Sequence, residues 1–371
     1  MTEMRSDRIN SFTGLRAAAM LTVFCSHLSY LRETPFHGLY SLIDNGRFGV
    51  NFFLVLSGFV LSLGYSHKLY ANSMIRDILF LKRRVSIIYI PYIITMILAI
   101  PLHILDVSSA GELLNGKNLM IRLLLNAGVI QSAIPFSKYS VSINGVSWFV
   151  STLFVIYMFT PGLLRLNNRT ANHYSLFKSV LLTGTILFFY GCSYMVIREI
   201  EYVRFADSGL SIIYINPLIR LFPFLIGIMG YNIFGLLSSY QIRNSSFIEA
   251  AGIAVFFLWW ITANKTGLPT VATECADMIV SMFVVLVFAL SRDGIVSDFL
   301  SRKRMLGLGH ISLEFYLVHY LVIRYGMITA KHFDMDHGIA ISALTILFFV
   351  LSLCGACLIH FISDRLLKRD S

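Results

Sequence analysis

Hydrophobic positions along this chain gather into runs long enough to cross about 30 Å of hydrocarbon. They fall near residues 12–31, 46–65, 85–105, 147–166, 176–196, 211–235, 247–263, 276–291, 308–329 and 338–362. The seventh and eighth runs are short for a full crossing. Leu119–Ile134 reads as an eleventh, re-entrant or interfacial segment, too short and too interrupted to assign. The pattern predicts an all-α polytopic membrane protein of about ten transmembrane helices. The longest gap, Asp106 to Gly145, is expected to be a loop of the length that covers or shapes a binding site.

Composition agrees. Of 371 residues 56% are hydrophobic and 13% are charged, against about 25% charged in soluble domains. The formal charge of +10 does not point to nucleic acid, for which no motif is present. In a membrane protein, excess Lys and Arg mark cytoplasmic loops and anionic headgroups. With ten spans, most of the Lys and Arg lie on the side of the N-terminus, so both termini are expected to be cytoplasmic. The first span reads as uncleaved, and residues 1–371 as a single transmembrane domain with no appended soluble domain. The cysteines are scattered, so no disulfide framework is indicated. Cys354-Gly-Ala-Cys357 is expected to let helices pack closely.

Against this apolar background the ionisable residues stand out. Arg16 and His27 sit in the first run, and an arginine deep in a bilayer costs roughly 2.5–3.5 kcal/mol on the insertion scale. Eleven residues at about 100° each bring them to one side of a helix, roughly 16 Å apart along its axis. A snorkelling arginine and a histidine bonded to a neighbouring helix would be the purely structural alternative. Elsewhere Arg220 precedes a small-residue face, and Glu314 is the most conspicuous acid in any span. Trp148 and Trp259-Trp260 have the placement of membrane-interface residues. No HxxxH or similar spacing supplies a set of metal ligands, so none is expected.

Phe12-Thr-Gly-Leu-Arg16, then His27, then Gly49-Val-Asn-Phe-Phe-Leu-Val-Leu-Ser57-Gly58-Phe59 resemble the start of the membrane-bound acyltransferase-3 family. That family includes O-acetyltransferases of bacterial O-antigens and exopolysaccharides, and macrolide acyltransferases. The resemblance continues in Lys82-Arg83-Arg84 before Pro91, in Trp148 with Tyr157 and Pro161, in Arg220 before Phe224-Leu-Ile-Gly227, and in Gly309-His-Ile-Ser312 with Tyr316 and His319. Two departures are plain. Ile87 and Ile88 stand where a third arginine is usual, and Leu153 and Phe154 stand where many members have acids.

The resemblance implies an integral O-acyltransferase of the bacterial inner membrane. It would move an acyl group, acetyl above all, from an acyl-CoA donor to a hydroxyl of a cell-surface polysaccharide or its lipid-linked precursor. His27 and Arg16 are then the expected catalytic residues, with His27 as general base, since a protonated hydroxyl is a poor nucleophile. Lys82, Arg83 and Arg84 are expected to hold the phosphates of the donor, because guanidinium forks suit phosphate. Ser57, Trp148, Arg220, Glu314, Tyr316 and His319 are the expected substrate-pocket residues. Besides acyl-CoA and the glycan acceptor the bilayer is the partner, and no nucleic acid is expected. The rival is a multi-pass transporter or exporter, because intramembrane Arg, His and Glu also line translocation paths; paired Gly/Pro-broken segments of an inverted repeat are lacking.

Overall fold

The first run folds as α1 (Asn10–Ser26), ending five residues sooner than its hydropathy suggests. His27 leaves the helix as its C-cap, and the Tyr40 hydroxyl donates to Ser26 O at 2.9 Å, one of the carbonyls that a helix end leaves unmatched. A 3-10 turn (Ser29–Glu33) and α2 (His37–Ile43) lead into α3 (Gly46–Tyr65), where Asn45 caps by accepting from the Phe48 amide. This is a computed structural model describing residues 9–66, 68, 73–109, 116–171, 175–204, 212–240, 242, 244–332 and 338–367. The terminal charges before Ile9 used in the orientation count lie outside them.

The remaining helices are α4 (Met74–Ser109), α5 (Gly116–Ala127), α6 (Ser137–Ser140), α7 (Trp148–Ala171), α8 (Leu176–Arg204), α9 (Ile212–Ile215), α10 (Pro217–Leu237), α11 (Ser245–Thr262), α12 (Thr270–Leu290), α13 (Ile295–Leu300), α14 (Lys303–His310), α15 (Ser312–His332) and α16 (Gly338–Leu367). Among the described residues there is no strand. Among the described residues eight helical segments are long and apolar enough to cross a membrane, and nine if the bent pair α14–α15 counts as one. The one expected span missing from these nine is the first run, because α1 has only 17 residues. The seventh and eighth runs are longer than they read, spanning Ser245–Lys265 and Thr270–Leu290. Polar Glu274 and Asp277 at the start of α12 mask its true beginning.

The stretch expected as a long loop is largely helical. α4 continues to Ser109, and α5, a 3-10 turn (Gln131–Ala133) and α6 follow; residues 110–115 lie outside the described part. Buried side chains join these pieces to the bundle. Gln131 Nε2 donates to the Tyr92 hydroxyl at 2.8 Å, and Ser132 Oγ meets Ser151 Oγ at 2.8 Å.

α3 occupies the centre, packed on α1, α10 and α12. Its contact with α10 is backbone to backbone. A Cβ on Gly58 would strike Phe224 O, and one on Gly227 would strike Val55 O, so glycine is required at both places. The small-residue face of α3 is therefore a packing surface on one side, which leaves Ser57 on another. Between α14 and α15 the chain bends by 64° at Ile311. Gly309 lies against the Thr13 carbonyl, and Ser312 Oγ donates to Gly309 O at 2.8 Å. That bend turns His310 and Ser312 toward α1. Farther along, Gly355 and Ala356 of the CxxC segment face inward, Gly355 against Val318, while Cys354 and Cys357 are exposed.

Candidate active site

α1, α3, α7 and α15 surround two cavities that share Tyr316. The first, of about 290 Å³, is lined by His27, Ser26, Trp148, Tyr214, Tyr316 and Tyr320 with small apolar residues from α1 and α3. The second, of about 180 Å³, is lined by Arg16, Arg84, Ser57, Tyr157, His310, Ser312 and Tyr316. Tyr316 is buried, and its hydroxyl donates to Val146 O at 2.8 Å. Its ring lies 5.4 Å from that of Phe149, centroid to centroid. The tyrosine is thus pinned as a wall between a histidine cavity and an arginine cavity.

The hydrogen bonds of the histidines determine their tautomers. His319 Nδ1 lies 3.1 Å from Phe315 O, and His27 Nδ1 lies 2.9 Å from Val23 O. A carbonyl oxygen only accepts, so Nδ1 of each neutral ring carries the proton. His319 Nε2 is then an acceptor, 3.3 Å from His27 Nδ1. The His27 Nδ1 proton lies between the Val23 carbonyl and the His319 nitrogen. What remains is the Nε2 lone pair of His27, on a half-buried ring that lines the cavity. His319 itself is 1% exposed and stacked on Phe315, so it orients His27 from behind and does not line the cavity.

Trp148 belongs to the cavity rather than a headgroup belt. It is buried, with its ring centroid 4.9 Å from that of Tyr214. Trp259 likewise points inward, its Nε1 donating to Asp277 Oδ1 at 2.7 Å. Tyr320, which the sequence reading passed over, lines the cavity edge-on to His27 with centroids 5.5 Å apart. Its oxygen accepts from Arg324 Nη1 at 3.4 Å, leaving the phenolic proton to donate into the cavity.

Arg220 does not reach either cavity. It is fully buried, with Nη1 3.0 Å from Glu274 Oε2 and 2.9 Å from Asn51 Oδ1, while Nε donates to Tyr214 O at 2.8 Å. Tyr190 donates to the same glutamate at 2.6 Å. Its charge is therefore compensated inside the bundle, where it holds the backbone of a cavity-lining tyrosine. Glu314 also faces away. Its Oε1 lies 2.8 Å from His360 Nδ1, which joins α15 to α16.

The basic cluster of α4 divides. Arg84 enters the arginine cavity and lies over the Tyr65 ring at 5.0 Å. Arg83 lines a separate cleft of about 430 Å³ with Tyr65, Lys68, Arg76, Leu79 and Phe80. Lys82 is exposed and lines neither. Adjacent helical residues point about 100° apart, which accounts for the split. Among the described residues no group of three or more His, Cys, Asp or Glu converges as a metal site.

The bundle of membrane-crossing helices thus encloses an imidazole with a free lone pair and, behind one tyrosine, a guanidinium-lined chamber. The acyltransferase-3 family model, described as an acyltransferase domain, matches residues 9–362, and the chain belongs to that family. It is 23% identical over 328 residues to the acyltransferase MdmB of Streptomyces mycarofaciens, an alignment covering 86% of this chain and 80% of that protein. No solved structure matches. Membership decides between the enzyme and transporter readings: this is a multi-pass membrane acyltransferase.

Proposed function

We propose that the protein transfers an acyl group, acetyl above all, from acyl-CoA to a hydroxyl of a cell-surface polysaccharide or its lipid-linked precursor in the bacterial inner membrane. The observation that carries this reading is the arrangement around Tyr316: His27, backed by His319, on one side, and Arg16 with Arg84 on the other.

The donor's charged phosphates stay at the guanidinium groups, since they cannot enter hydrocarbon. The thioester extends past Ser57 and past the edge of the Tyr316 ring, so that its carbonyl carbon reaches the histidine cavity while the rest of the arm stays in the arginine chamber. On the other side the acceptor sugar lies against Trp148, Tyr214 and Tyr320, aromatic surfaces suited to a sugar ring. His27 Nε2 takes the acceptor O–H proton as the oxygen attacks the thioester carbonyl carbon. The imidazolium so formed keeps its Nδ1 proton directed at the Val23 carbonyl and at the neutral His319 nitrogen. The Tyr320 hydroxyl is the donor placed to meet the oxyanion. Collapse of the tetrahedral intermediate breaks the C–S bond. The thiolate leaves with the proton held by His27, giving free CoA thiol and the ester.

The orientation that fits places Arg16 and Arg84 toward the cytoplasm, where CoA is made, with both termini on that side. Chemical analysis of surface glycans with and without this chain, for ester-linked acyl groups, tests the reading and names the acceptor. Identical ester content would contradict it.

A further inference from the structure

The cleft that receives Arg83 is separate from the chamber that receives Arg84, yet it shares a wall with it. Arg84 lies over the rings of Tyr65 and Phe80, and both rings line the neighbouring cleft. Three cations, Lys68, Arg76 and Arg83, converge there, and no acid is among the cleft's lining residues. The nearby carboxylate, Asp77, is turned away, held by Arg165 through bonds of 2.8 and 3.0 Å. Arg76 Nη1 donates to Lys68 O at 3.3 Å, which ties the start of α4 to Lys68 beside the opening. Leu79, 60% exposed, adds an apolar surface beside the charges. Three cations lining one cleft without an acid among its lining residues give it a positive field, which a multiply charged anion meets favourably.

We propose that this cleft is a phosphate-monoester site that reads the ribose 3′-phosphate of the donor, with Leu79 against the base. The inference rests on the acyl-CoA reading and deepens it. The pyrophosphate and pantetheine arm would run along Arg84 into the chamber, while the 3′-phosphate sits with Lys68, Arg76 and Arg83. A donor carrying phosphopantetheine alone, such as an acylated carrier protein, has nothing to place there. The protein therefore selects free acyl-CoA.

Purified protein in zwitterionic detergent, parent and Lys68→Ala/Arg76→Ala, is compared on acetyl-CoA and acetyl-dephospho-CoA. The parent is expected to favour acetyl-CoA by roughly tenfold or more in kcat/KM, and the variant to lose that preference through a raised KM for acetyl-CoA. A parent without preference, or a variant that keeps it, overturns the proposal. An anionic lipid headgroup offers the same phosphate chemistry. If phosphatidylglycerol vesicles bind the parent and not the variant while discrimination between the thioesters persists, the cleft is a lipid site and the proposal fails. Should neither thioester turn over, the donor reading has failed, and the cleft is judged by adenosine 3′,5′-bisphosphate binding. Tighter binding of it than of adenosine 5′-monophosphate, lost in the variant, supports the site; equal binding of the two nucleotides overturns it.

Discussion

His319 Nε2 lies 3.3 Å from Nδ1 of His27, and each ring is anchored by a carbonyl one turn earlier in its own chain segment. The buried histidine does not line the cavity, yet its nitrogen faces the same Nδ1 proton that the Val23 carbonyl holds, which leaves Nε2 of the half-buried His27 for the cavity.

A positioning role makes a specific demand on kinetics. His319→Ala should lower kcat by about 10–100-fold, part of the 10²–10⁴-fold typical of general-base catalysis, with little change in KM for either substrate. Steady-state kinetics on equal amounts of purified protein check it. A rise in KM alone would mean that His319 binds substrate.

Tyr316 is the partition between the two cavities. Tyr316→Ala should open it and allow water to reach the donor, raising acyl-CoA hydrolysis in the absence of acceptor while lowering transfer. Tyr316→Phe keeps the wall and removes only the bond to Val146 O, a loss of about 1 kcal/mol in stability. Thiol release with and without acceptor distinguishes the two variants. Equal hydrolysis by parent and the alanine variant would show that Tyr316 separates nothing.

For Arg220 the expected effect is on the fold. Arg220→Ala leaves Glu274 buried opposite no cation, which costs about 3–5 kcal/mol. Membrane abundance and the thermal transition in detergent should fall sharply. Replacing both partners, Arg220→Met with Glu274→Gln, should recover much of the abundance. An Arg220→Ala protein that accumulates normally but cannot bind acceptor would instead make this arginine a substrate contact.

The orientation is tested by labelling in a cysteine-free background. Ile75→Cys, at the exposed start of α4, should react only from the cytoplasm, and Lys138→Cys only from outside. The reverse pattern would place the arginine chamber away from the CoA supply.

Much of this was legible in the sequence because it rests on local signals. Uninterrupted apolar length marks the helices, and an ionisable group within such a run marks Arg16 and His27 as unusual. Partner choice is not local. Arg220 and Glu314 looked like pocket residues because each is charged within a span, but their partners Glu274 and His360 lie far away in the chain. Arg83 and Arg84 looked like one unit because they are adjacent, although the helical turn sends them to different cavities. In the sequence, Lys68 and Arg76 add only to the excess of Lys and Arg that sets the orientation. Tyr320 carries no sequence signal beyond standing next to His319, and only the packing of α15 on α1 brings it to His27.

The central claim is that His27 is the base. Its most direct measurement is acyl transfer by His27→Ala, purified and quantified beside the parent, with acetyl-CoA binding measured on the same sample. Transfer should fall by at least about 10²-fold while the protein still accumulates and still binds donor through Arg16 and Arg84. Parent-level transfer by a variant of normal abundance would contradict the account and leave the paired histidines as helix packing.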